Sequence, residues 1–218
     1  VVLDDGTKIS AIDAVVSDAD GLLTYEKMIG VENLTGDMKK ELAKWKNKAN
    51  SLSYFILNIG LDIDVKEEYG IEGDLTVYYP STEILEMFKT IDAGTLPEDF
   101  WLWIVFPSVN DPTLAPKGHS TGLLSVLCPY NSENFSEVSN DYCFDGFKPN
   151  GDKGETYEQF KLELAKRLIE RAEEIYPNLS SHIVVQDMIT PMTIERITLN
   201  YKGATLGFMP DTSDRDLA

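Results

Sequence analysis

The acids of Val15-Val16-Ser17-Asp18-Ala19-Asp20-Gly21 carry the clearest chemical potential in this sequence. An apolar run of strand character delivers two carboxylates, two positions apart, at its end. A carboxylate at a strand end can attack phosphorus and form an aspartyl-phosphate intermediate. The same residues also fit a plain strand-to-helix turn, because aspartate favours the first turn of a helix. Glu195-Arg196 is a second acid–base neighbour pair, expected within a strand, and its simplest reading is a solvated or salt-bridged pair. His119 and His182 lie far apart, and neither has a second ligand type at metal spacing. No dedicated metal site is expected. Cys128 and Cys143 are spaced wrongly for CxxC zinc or redox chemistry, so two reduced thiols in a cytoplasmic protein are expected. The sequence contains no GxGxxG after a strand, no GxxxxGK[ST] and no G-x-S-x-G elbow.

The elements that must position these groups are read from the chain in order. Val1 to Ile9 is strand, Asp5-Gly6 turn, strand, the strongest short hairpin signal. Ala14 to Ser17 reads as a buried strand, Thr24 to Ile29 as a short helix, and Asp37 to Ala49 as an amphipathic helix with Leu42 and Trp45 inward. Ser51 to Leu61 and Leu75 to Tyr79 are apolar runs of strand length. Ser81 caps a helix running to about Thr90, with Ile84, Leu85 and Phe88 as its apolar stripe. Asn131 to Lys153 is a surface loop by composition. Glu155 to Tyr176 is the clearest helix, with Phe160, Leu164, Leu168, Ile169, Ala172 and Ile175 at helical spacing before Pro177. His182 to Ile189 and Thr193 to Leu199 read as two further strands.

Trp101 to Phe106 and Thr121 to Leu127 are β-rich runs that flank Pro107, Pro112, Pro116 and Gly118. Proline cannot continue either ladder, so a long stiffened connection is predicted. Strands outnumber helices and often follow one another without a helical crossover. That pattern predicts an α+β domain, a mostly antiparallel mixed sheet flanked by helices.

The balance of 19 basic and 37 acidic residues, a formal charge of −18, repels phosphate backbones and anionic lipid, which argues against nucleic acid as a partner. No apolar run approaches the roughly 18 residues of a spanning helix, and no signal-peptide pattern is present. A chain that begins with Val1 in strand-like sequence looks excised from something longer.

Two resemblances follow from these residues. Val15 to Gly21 resembles the first motif of haloacid-dehalogenase-type phosphatases. That likeness implies Asp18 as nucleophile, Asp20 as general acid/base and magnesium between them. The family's later lysine and second acidic cluster have no counterpart, since Gly73-Asp74 and Gly151-Asp152 do not follow suitable strands.

The longer resemblance covers essentially the whole chain. The opening hairpin, then Ile12-Asp13-Ala14-Val15-Val16-Ser17-Asp18-Ala19-Asp20 and Thr24-Tyr25, is similar to the return segment of FAD-dependent phytoene desaturase-like oxidoreductases, with Asp18 in place of the common Asn. Pro107-Ser108, Asp111-Pro112-Thr113-Leu114-Ala115-Pro116 and Lys117-Gly118-His119 match that family's proline-rich segment. Tyr176-Pro177-Asn178-Leu179, then Thr190-Pro191 with Thr193, Glu195 and Arg196, then Gly203-Ala204 with Gly207, follow in the family order.

This second resemblance implies that residues 1–20 return from an FAD-binding domain lying outside the chain. Residues 21–210 form the substrate-binding domain and 211–218 a frayed tail. FAD belongs to the full-length protein and is held by the missing FAD-binding segments, while the fragment alone neither binds it tightly nor turns over substrate. The substrate is an apolar isoprenoid, carotenoid or retinoid-like molecule, and peripheral membrane contact of the full-length enzyme is compatible with that. The implied substrate-binding residues are Trp101, Trp103, Phe106, Thr190, Pro191, Glu195, Arg196, Gly203 and Gly207, and Ser17, Ala19 and Asp20 are cofactor-proximal. Tyr54, Phe55 and Met192 are expected to share the apolar face. A non-enzymatic acidic module that binds a protein partner is the rival of a different class.

Overall fold

The computed structural model describes residues 1–47, 52–93, 96–130 and 155–209. The predicted loop 131–153, the tail 211–218, Cys143 and Gly151-Asp152 lie outside them. The chain divides into two compact units, Val1–Lys48 and Ala49–Ala218.

In the first unit the predicted hairpin forms, with Val2 bridged to Lys8. Gly6 N donates to Leu3 O and Leu3 N to Thr7 O, both at 2.9 Å, and Gly6 takes φ +81°. This is a tight turn closed by a left-handed glycine, the three-residue form of the Asp-Gly hairpin. The buried strand expected at Ala14–Ser17 does not form. Those residues join no ladder, with Val15 63% and Val16 90% exposed. Among the described residues of this unit no strand lies alongside to complete a ladder, and an isolated strand is not stable in water. Asp20 then caps α1 (Gly21–Leu23), which runs on through a π-helical turn, Thr24–Gly30, and a 3-10 turn, Val31–Asn33. Helix α2 (Gly36–Lys46) starts at Thr35, whose Oγ1 accepts from Met38 N at 3.4 Å. It buries Leu42 and lays Trp45 against Tyr25 at a ring separation of 4.7 Å, as the amphipathic pattern predicts.

The second unit is built on one sheet of order β2-β3-β4-β1-β5, with every neighbouring pair antiparallel. The strands are β1 (Ser53–Leu61), β2 (Leu75–Tyr78), β3 (Leu102–Val105), β4 (Ser120–Cys128) and β5 (Ile183–Ile189). Strict alternation decides the two faces. Phe55, Leu57, Ile59 and Leu61 of β1 join Leu102, Ile104, Leu124, Val126 and Phe106 in the main core. Helix α5 (Glu155–Glu173) covers that face with Leu164, Ala165, Leu168 and Ala172. These recur at helical spacing, which is why the sequence made α5 the most legible element. Arg167 and Arg171 reach from α5 over the Phe100 ring, at 5.2 and 5.3 Å. They donate to the carbonyls of Pro97 and Glu98, strapping the approach to β3.

Between β3 and β4 the stiff connection forms two 3-10 turns, Pro107–Val109 and Pro112–Leu114, each opened by its proline. Asp111 Oδ1 accepts from Thr113 N at 3.0 Å and from Thr113 Oγ1 at 2.6 Å, and Thr121 N donates to Ser108 Oγ at 3.1 Å.

Two expectations are corrected in this unit. Residues Thr193–Leu199, expected as a strand, lie in helix α6 (Pro191–Thr198) and its C-cap. Thr190 Oγ1 accepts from Thr193 N at 3.2 Å and Pro191 occupies the first turn. This start signal outweighs the β-branched content of Thr193, Ile194, Ile197 and Thr198. Helix α4 (Ile84–Asp92) begins three residues later than Ser81, whose Oγ accepts from Glu83 N at 3.1 Å. Met87 and Ile91 are its buried positions and Phe88 is half-buried, whereas Ile84 and Leu85 are exposed at 41% and 74%. The remaining α3 (Val65–Tyr69) is capped by Asp64, which accepts from Lys66 N and Glu67 N.

Candidate functional site

The second face of the sheet is the candidate site. Opposed residues of an antiparallel ladder share a face, so the registers lay out its rows. Val77, Trp103, Ser125, Ile56 and Ile189 form one row across β2, β3, β4, β1 and β5. Leu75, Val105, Leu123, Asn58 and Asp187 form the next, followed by Thr121, Gly60 and Val185. At the near end Tyr54 opposes Leu127. There Met87 and Ile91 of α4 pack with Leu127, and Leu52, Tyr54, Phe88, Trp101 and Trp103 gather around them. Trp101 and Trp103 meet edge-on at 6.2 Å, and Tyr54 lies 5.2 Å from Trp103. Burial pushes the Tyr54 hydroxyl above its ordinary pKa, so it stays an uncharged donor on this wall.

Beyond α4 the face is apolar without being sealed: Ile56, Val105 and Leu123 are half-buried, and Val185 is 64% exposed. Gly60 has no side chain to fill the space beside Val185. Such a surface can bind an extended apolar molecule and shield it from water.

The sequence-derived residues fall into separate places. Trp101 and Trp103 come together on this open face. Phe106 is on the opposite side, 1% exposed and edge-on to Tyr176 at 5.3 Å, and Phe55 is likewise buried in the main core. Met192 packs against that core from α6. Thr190, Pro191, Glu195 and Gly203 form a second cluster. Thr190 is fully buried and its Oγ1 shares a 2.6 Å hydrogen bond with Tyr157 OH. Burial raises the Tyr157 pKa, with Thr190 and Lys161 pulling it back. Glu195 is 4% exposed, and its carboxylate accepts from the Tyr130 hydroxyl and, at 2.9 Å, from Lys202 N. Arg196, its neighbour, is half-buried on α6. Gly203, at φ +59°, lies so close to the Pro191 carbonyl that a Cβ would collide with it, so only glycine fits there. Gly207, at φ +73°, has open space instead. In this second cluster these contacts hold α6 and the following turn in place.

Ser17, Ala19 and Asp20 belong to the other unit. Ser17 Oγ shares a 2.7 Å hydrogen bond with Thr24 Oγ1, and Asp20 Oδ1 accepts from Leu23 N at 3.0 Å. Asp18 is exposed. Dinucleotide pyrophosphate is usually cradled by a glycine-rich turn at a helix N-terminus, a fingerprint this sequence lacks, and Asp20 and Ser17 are already engaged locally. These residues do not themselves make a flavin site.

The residues that sequence reasoning missed are Leu123, Val105, Ile56, Asn58 and Asp187. Their alternation along β1, β3, β4 and β5 is visible in the sequence, but only the register shows that they meet.

No family model matches the chain. Among characterised proteins it is 26% identical to the 4,4'-diaponeurosporene oxygenase of Staphylococcus haemolyticus, over 97% of this chain and 36% of that protein. It is 27% identical to the all-trans-retinol 13,14-reductase of Danio rerio, over 88% of this chain and 31% of the relative. It is 28% identical to the lycopene-forming phytoene desaturase of Pseudescherichia vulneris, over all of this chain and 41% of that one. The chain therefore spans roughly a third of the length of the relatives it matches, along nearly its whole extent. These matches, each covering most of this chain, support a likeness to the phytoene desaturase-like family.

Proposed function

We propose that this chain is the substrate-binding part of an FAD-dependent oxidoreductase acting on a long apolar isoprenoid. The relatives are named for carotenoid desaturation, carotenoid oxygenation and retinol reduction, and a long polyene is common to all three. The observation that carries the reading is the half-open apolar sheet face, with Trp101, Trp103 and Tyr54 at one end and Leu123, Val105 and Ile56 beyond. This face forms one wall of the substrate site. It orients the polyene and excludes water, while the flavin, held by segments other than these 218 residues, supplies the redox chemistry. The α6 cluster around Thr190, Glu195 and Gly203 supports the wall rather than reacting.

Titration of the purified chain with a polyene tests this. Saturable quenching of tryptophan emission is expected, with dissociation in the micromolar range typical of a partly assembled apolar site, about −8 kcal/mol. Leu123→Glu, which places a charge mid-face, should abolish it while leaving the thermal melt nearly unchanged. Quenching that survives Leu123→Glu would show that the polyene binds elsewhere.

A further inference from the structure

The open face carries the hydroxyls of Ser125 and Thr121 among its apolar side chains, and one pair of larger polar groups. Asn58 and Asp187 stand directly opposite each other on β1 and β5, in the row completed by Leu123 and Val105. Asn58 is half-buried and Asp187 exposed, and among the described residues neither side chain has a hydrogen-bond partner. The next position on β1 is Gly60 on the same face, opposed by Val185, whose Cβ an added methyl would meet at 3.4 Å. The position next to the polar pair, at the end of the wall away from the tryptophans, therefore carries no side chain of its own.

We infer that Asn58 and Asp187 form an end-group subsite for a hydroxyl, so that the preferred substrate is a polyene alcohol rather than a pure hydrocarbon. The inference rests on the reading of this face as the substrate wall. An ionised aspartate only accepts hydrogen bonds, and the asparagine amide supplies two N–H donors as well as an acceptor. A hydroxyl matches both at once, donating to Asp187 and accepting from Asn58. A carboxylate end group meets like charge at Asp187. A hydrocarbon end covers a carboxylate and an amide without replacing their water, the situation in which a polar site rejects an analogue that lacks the group it binds.

The test compares three probes on the 218-residue chain at neutral pH: all-trans-retinol, its deoxy hydrocarbon and its carboxylic acid. Dissociation constants come from quenching of tryptophan emission. The alcohol should bind about tenfold or more tightly than either of the others, as a hydrogen bond to a charged group allows. Asp187→Val, a strand-compatible change at an exposed position, should erase that preference and leave hydrocarbon binding unchanged or tighter. Asn58→Val should act in the same direction, and Gln186→Val, one position along on β5, should do nothing. Equal binding of alcohol and hydrocarbon, tighter binding of the acid, or a preference that survives both Asp187→Val and Asn58→Val would overturn the subsite and leave the wall standing. Absence of saturable quenching by all three probes would overturn the wall and the subsite together.

Discussion

Cys128 shows how place outweighs type. It is 1% exposed, and burial pushes its thiol up to about 12. In the unfolded chain the thiol ionises near 9.0, so its contribution is fully present below that pH and is lost as pH rises toward 12. Tyr54 and Tyr157, also raised by burial, act in the same direction. Chemical denaturation should therefore show stability falling above pH 9, with a shallower fall in Cys128→Ala. In a Cys143→Ser background, native Cys128 should resist alkylation until the protein is unfolded. Glu195 makes the complementary case. Glu195→Ala strips acceptors from the Tyr130 hydroxyl and the Lys202 amide, and should cost about 2–4 kcal/mol in urea melts at the usual penalty for buried unpaired donors. Glu195→Gln, which retains one acceptor oxygen, should cost less.

Among the elements, α6 and α4 mark the limits of pattern reading. Thr190-Pro191 is a strong helix start, yet the β-branched run behind it reads as a strand when the pair is passed over. Thr190→Ala should cost about 1–2 kcal/mol through the lost cap, and more if Tyr157 is left unpaired. Tyr157→Phe made together with Thr190→Ala should cost less than the sum of the two single changes, because they share one hydrogen bond. In α4 the stripe was legible as amphipathic, but its phase was not. Ile91→Ala should cost about 2–5 kcal/mol, whereas Leu85→Lys should stay within about 0.5 kcal/mol, both read from thermal or urea melts. Ile84 and Leu85 fall in the exposed first turn, and the packing against Leu127 of the sheet is made by Met87 and Ile91 further along.

At the scale of the molecule, one antiparallel sheet has a sealed face and a half-open one. The sealed face, under α5, carries the stability. The half-open face carries the proposed binding role. Freshly purified chain should show no stoichiometric flavin absorbance in the visible region, since the glycine cradle for a dinucleotide is absent from its sequence. Stoichiometric flavin would mean that the residues near Asp20 bind it after all. Among the described residues no helix is long and apolar enough to cross a membrane.

By itself the sequence determined the hairpin, α5, all five sheet strands to within a residue or two, and the α+β class. Each of these rests on local chemistry: periodicity, turn residues, caps and proline. It also carried the likeness to phytoene desaturase-like oxidoreductases, through motifs spread in order along the chain. Strand alternation already sets Phe106, three positions from Trp103, on the other side of the sheet. The tertiary structure alone decided that Tyr54 and Phe88 join Trp101 and Trp103 on one surface. It also decided that Val15 and Val16 lie exposed in this chain, because a strand needs neighbours to become buried. And it brought Asn58 to face Asp187 across 129 positions of sequence, since a register is set by how whole faces pack and no local pattern records it.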